Sequence, residues 1–142
     1  MTVAPTARTV TYSDAVPTYP FTLSGFKFSD NESSLTGYTP STCSSGYAST
    51  TNVSSSPITI TCTGGSSNNY TFDTTGTGTV TIQPKALSIS GSTVAARNFI
   101  NSVTTAGTIS PGTLSGLVAG QALSVSGSGS NYSSDLPGTY NT

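Results

Sequence analysis

The chain has 142 residues, among them 26 serines, 27 threonines and 15 glycines, with no histidine, no tryptophan and a net charge of -1. Its four basic residues, Arg8, Lys27, Lys85 and Arg97, are spread too thinly for a nucleic-acid footprint, and no apolar run nears the roughly 18 residues of a membrane span. Without imidazole, and with only five carboxylates, the composition argues against an enzyme.

Low hydrophobicity here comes without the high net charge typical of disorder, and the apolar residues fall in alternating runs. Taken in chain order, strands are expected at residues 9–12, 19–24, 38–43, 57–63, 70–73 and 78–83, then 86–90, 107–110 and 122–126. Each is bounded by Gly, Pro, Asn or Ser clusters. The alternation is clearest in Pro57-Ile58-Thr59-Ile60-Thr61-Cys62, Thr79-Val80-Thr81-Ile82 and Ala86-Leu87-Ser88-Ile89-Ser90. That is the period of a half-buried strand. Residues 29–35 read as one turn of helix capped by Ser29 or Asp30, with Glu32 near its positive end.

Pro84, between Gln83 and Lys85, cannot continue a ladder and marks a boundary. The expected modules are therefore residues 1–84 and 85–142. The halves echo each other in Leu23-Ser24-Gly25-Phe26 and Leu114-Ser115-Gly116-Leu117, and in Asn69-Tyr70-Thr71 and Asn131-Tyr132-Ser133. The fold class is all-β, with two small Ig-like or sandwich-like modules in tandem. A β-grasp variant with one short helix is open for the first. Tyr12, Tyr19, Phe21, Phe26, Phe72 and Val80 are the expected first core, with Leu87, Ile89, Phe99, Ile109, Leu114, Leu117 and Leu123 as the second.

Cys43 and Cys62 are the only cysteines. A disulfide between them stabilises by about 3 kcal/mol in the chain-entropy model, and a small module with a thin core favours such a staple in an oxidising compartment. Two unrelated reduced thiols are the alternative. Two cysteines without a histidine are too few for a zinc site. Asp30 and Glu32, flanking Asn31, are the lesser candidates for a metal, a Ca²⁺ held by oxygen ligands; the plainer reading has them cap a solvated turn. Lys27 and Lys85 are candidates for an internal cross-link to an asparagine. Tyr38, Tyr47 and Tyr140 are candidates for stacking on a sugar where exposed.

Several pieces become specific in their shared order. These are Thr11-Tyr12-Ser13-Asp14-Ala15-Val16-Pro17-Thr18-Tyr19, Leu23-Ser24-Gly25-Phe26, Asp30-Asn31-Glu32, Ser56-Pro57-Ile58-Thr59-Ile60, Asn69-Tyr70-Thr71-Phe72 and Gly78-Thr79-Val80-Thr81-Ile82. Over residues 7–84 they resemble the MBG (mostly β, glycine-rich) module, which recurs in tandem in large secreted bacterial adhesins. Residues 85–142 are similar to a companion repeat, the YDG module. The likeness lies in Ala86-Leu87-Ser88-Ile89, Ala95-Ala96-Arg97-Asn98-Phe99-Ile100-Asn101 and Gly112-Thr113-Leu114-Ser115-Gly116-Leu117-Val118-Ala119-Gly120. Phe99-Ile100-Asn101 stands where the Tyr-Asp-Gly would be, and the pattern runs past Tyr140, so this module reads as incomplete at its C-terminal end.

The resemblance implies an extracellular stalk or repeat segment, secreted or on the cell surface, that acts as spacer and display element without a cofactor. Its partners are then neighbouring repeats of the same chain or fibre. One alternative is a module binding a glycan or a host surface protein. Another is a self-assembling fibre subunit completed by strand exchange.

Overall fold

The structure, a computed structural model, describes residues 1–96 and 107–129. It divides into two compact units, Met1–Lys85 and Ala86–Thr142. Among the described residues it is built of strands, with no α-helix and two 3₁₀ turns of three residues each.

The first unit holds β1 (Thr2–Pro5), β2 (Arg8–Thr11), β3 (Phe21–Ser24), β4 (Thr39–Ser45), β5 (Ile58–Ser66) and β6 (Thr77–Gln83). Four of them form a sheet in the order β2-β6-β5-β4. The β4/β5 and β5/β6 pairs are antiparallel, while β2 runs parallel to β6. β1 and β3 make a separate antiparallel ribbon in which Val3 faces Leu23. Where β5 gives way to Pro57, the Ser56 hydroxyl takes over as acceptor for the Ile82 N–H at 3.0 Å, so the β6 donor is not orphaned.

Period-2 alternation explains the core. Ile60 and Cys62 of β5 and Val80 and Ile82 of β6 are buried, while the threonines between them are exposed or half-exposed. Val10 of β2 and Tyr47, after β4, complete the cluster, and Val3 of the ribbon is fully buried. Each such side chain contributes about 1.5–3 kcal/mol on leaving water. Tyr12 and Tyr19 pack against this core as the sequence suggests. Phe21, Phe26 and Phe72 do not belong to it and are only half-buried.

Two expectations in this unit are corrected. Residues 70–73 are not a strand but carry two isolated bridges, Ser67↔Tyr70 and Thr2↔Asp73. The Asp73 carboxylate accepts from the Thr75 N–H (3.0 Å) and hydroxyl (2.6 Å), which turns the chain at once. The turn expected over 29–35 is a 3₁₀ turn at Glu32–Ser34, capped by Asn31 instead of Ser29 or Asp30. Asn31 Oδ1 accepts from the Ser33 N–H, and Ser34 Oγ accepts from the Asn31 N–H, a reciprocal capping box. Three polar residues offer no apolar face to prolong it, so no β-grasp helix forms.

The second unit contains two antiparallel ribbons: β7 (Ser88–Ser90) with β10 (Thr113–Ser115), and β8 (Thr93–Val94) with β9 (Ile109–Ser110). Residues 122–126 form no strand. Leu87, Ile89 and Leu123 are exposed, and Ile109, Leu114 and Leu117 are half-buried, so the expected second core is not assembled by the described residues. Ribbons of two or three residue pairs have too little face to cover an apolar layer. Phe99 lies outside the described residues.

The echo between the halves has a structural counterpart. Leu23 faces Val3 and Leu114 faces Ile89 across antiparallel ribbons. In both, Leu-Ser ends the strand and a glycine follows at positive φ, Gly25 at 88° and Gly116 at 96°.

Candidate functional site

The first unit's two terminal segments run side by side in the same direction. The pairing starts at the parallel Thr2↔Asp73 bridge, where the Val3 N–H donates to the Asp73 carbonyl at 2.9 Å. It continues as the β2/β6 ladder from Arg8↔Val80 to Thr11↔Gln83, and closes with the Tyr12 N–H on the Gln83 carbonyl at 2.8 Å. Between these stretches, Gly76 and Gly78 let β1 pass close by. A Cβ at Gly76 would lie 3.1 Å from the Val3 carbonyl oxygen, and one at Gly78 3.0 Å from that of Pro5. The chain thus enters this unit at one end and leaves at the other.

Cys43 and Cys62 form a disulfide. They are direct partners in the β4/β5 register, so the bond crosses between neighbouring strands. Cys43 lies within β4 and not in a loop, and Cys62 is buried.

An aromatic–carboxylate cluster joins the segment after β3 to the segments flanking β4 and β5. The Tyr70 hydroxyl donates to Asp30 Oδ2 at 2.5 Å and accepts from the Lys27 N–H at 3.1 Å, while Phe26 meets its ring edge-on at 6.5 Å. The Tyr38 ring stacks on Phe72, with centroids 6.2 Å apart and planes 18° from parallel. Its hydroxyl donates to Glu32 Oε1 at 2.8 Å. Burial, then the hydrogen bond and charge of Glu32, push the Tyr38 phenol up to about 12. The hydrogen bond to Asp30 raises that of Tyr70.

This geometry directs Asp30 and Glu32 to different tyrosines, while Asn31 Oδ1 is taken by the Ser33 N–H. Among the described residues, no three His, Cys, Asp or Glu gather where they could hold a metal ion. Of the tyrosines considered for sugar stacking, Tyr47 is excluded because it is buried, with its hydroxyl donating to the Asp14 carbonyl at 2.8 Å. Burial raises its phenol too. Tyr38 is half-buried and already stacked, and Tyr140 lies outside the described residues. Lys85 reaches the Ser13 hydroxyl at 3.3 Å instead of an asparagine.

Sequence reasoning missed Phe28. It sits in the turn closed by the Asp30 N–H on the Lys27 carbonyl, at φ 55° and fully exposed. A non-glycine residue with positive φ carries strain, and an aromatic ring held wholly in water is costly. The only cue in the sequence is an aromatic between Lys27 and Ser29 in an otherwise polar stretch.

These features define a small all-β module, threaded from end to end. The family model for the MBG domain (YGX type) matches residues 1–81, and the chain belongs to that family. The MBG domain is a repeat module of bacterial surface proteins and is not known for catalysis. Searches of the curated proteins and of the solved structures find no match to the chain.

Proposed function

We propose that the chain is a non-catalytic spacer and display segment of a secreted or surface-anchored bacterial adhesin-like protein. In this reading an MBG module over residues 1–84 is followed by an incomplete YDG-like module over 85–142, and neighbouring repeats are its partners. The observation that carries it is the parallel pairing of the first unit's terminal segments, which puts entry and exit at opposite ends. A module threaded in this way adds length to an array with every copy. The disulfide fits an oxidising, extracellular setting. Spin labels on non-natural side chains at Thr2 and Lys85, which spare the cysteines, should give one narrow distance, longer than the ~23 Å of the seven-residue strand β6. A broad distribution or a much shorter distance would defeat the spacer reading.

A second reading rests on Phe28. In it, this exposed aromatic, held at strained backbone, is the contact for a glycan or a host surface protein. Binding to glycan arrays or to host cells that is lost in Phe28→Ala, with thermal stability unchanged, would establish it.

A further inference from the structure

We infer that the first unit is a tension-bearing element whose mechanical clamp is the parallel β2/β6 ladder together with the parallel Thr2↔Asp73 bridge. This rests on the spacer reading, because only a chain pulled through its ends feels the load described here.

Force arriving from the N-terminal side acts at the start of β1 and β2, and force from the C-terminal side acts at the end of β6. β2 and β6 run in the same direction. One strand is therefore drawn backward along its axis while the other is drawn forward, and the load lies along the ladder. The bonds of that ladder must then fail together. In an antiparallel hairpin pulled at its open end, by contrast, each bond meets the force alone and the pair unzips.

The clamp is fastened at both ends. At its start, the Met1 nitrogen donates to the Thr71 carbonyl (2.7 Å), the Asp73 N–H donates to the Met1 carbonyl (2.8 Å) and the Val3 N–H donates to the Asp73 carbonyl (2.9 Å). At its finish, the Tyr12 N–H donates to Gln83 (2.8 Å). Val10, Val80 and Ile82, from the two sheared strands, lie in the core, so sliding also breaks their packing.

The disulfide adds a second device. Cys43 and Cys62 are 19 residues apart in sequence. When the clamp gives way, the residues between them stay behind the covalent bond and the chain lengthens less. The extension withheld is about 60 Å, taking ~3.4 Å per extended residue and subtracting the bridge.

The experiment is single-molecule pulling on the full chain, with handles on non-natural side chains. In one geometry the handles are at Met1 and Lys85. In the other they are at Met1 and Ser24, the adjacent ends of the antiparallel β1/β3 pair. The protein is the same in both, so its thermodynamic stability is the same. The expected result is a severalfold higher rupture force between Met1 and Lys85, with a release that lengthens by about 60 Å in Cys43→Ala/Cys62→Ala. Equal or lower force in the Met1–Lys85 geometry would overturn the inference. That outcome, combined with a narrow Thr2–Lys85 distance, would leave a spacer that bears no special load. A broad distance would remove the spacer reading itself.

Discussion

Cys43 of β4 and Cys62 of β5 face each other in register, and their disulfide ties together two strands that already share a hydrogen-bonded ladder. The bond therefore adds no new contact to the folded sheet. Its effect falls chiefly on the unfolded chain, whose freedom it restricts. Cys43→Ala/Cys62→Ala should lose about 3 kcal/mol of unfolding free energy, read by urea denaturation. Reductant should lower wild-type stability and leave the double variant unmoved.

Ser13 has φ 75°, a left-handed conformation in which a Cβ is strained. It is the middle residue of Tyr12-Ser13-Asp14, and among the described residues it is the only one directly after a tyrosine with positive φ. Ser13→Gly should stabilise the first unit by about 0.5 kcal/mol, the relieved strain outweighing the greater freedom of the unfolded chain and the exposed contact to Lys85. Chemical denaturation showing a loss of stability would contradict this account.

Gly65 has φ 91°, and a Cβ there would collide with the Ser41 hydroxyl and crowd the Phe72 ring. Ser41 is itself buried, with its hydroxyl on the Gly64 carbonyl at 3.0 Å, and Phe72 supports the Tyr38 stack. Gly65→Ala should cost about 1–3 kcal/mol. Gly64 also has positive φ but open space around it, so Gly64→Ala should cost less, the difference reporting the collision.

The tyrosine cluster makes stability fall on the alkaline side. A free phenol titrates near 10.0, and that of Tyr38 is held up to about 12. Its contribution is complete below pH 10 and is lost as the pH rises from there through about 12, because the folded state resists losing the proton. Tyr47 and Tyr70 act in the same direction. Absorbance at 295 nm should show tyrosines titrating above the free value, with fewer doing so in Tyr38→Phe. That variant should also cost about 1 kcal/mol at neutral pH for the lost hydrogen bond to Glu32.

The strands that were legible in sequence are those whose alternation is strict. Ile58, Ile60 and Cys62, and Val80 and Ile82, announce β5 and β6 because every second side chain leaves water. β1 escaped notice because Thr2–Pro5 is too short for a period and ends in a residue that usually breaks strands. Tyr47 escaped because its burial comes from the fold of a loop, which leaves no local pattern. The residues of the aromatic–carboxylate cluster are visible one by one, yet nothing in their spacing pairs Tyr70 with Asp30 or Tyr38 with Glu32. Nor does alternation tell whether two strands run parallel; that depends on how the intervening chain turns, here through three other strands and two 3₁₀ turns.

The pairing of β2 with β6 also sets the order of events while the polypeptide emerges. The ribbon of β1 and β3 can close once residue 24 is out, and the hairpin of β4 and β5 soon after residue 66. β2, however, has no ladder partner until Val80 arrives, and Thr2 waits for its bridge to Asp73. Contacts so distant in sequence make folding slow. The unit therefore stays unlatched through nearly all of its emergence and locks only when its last strand is delivered.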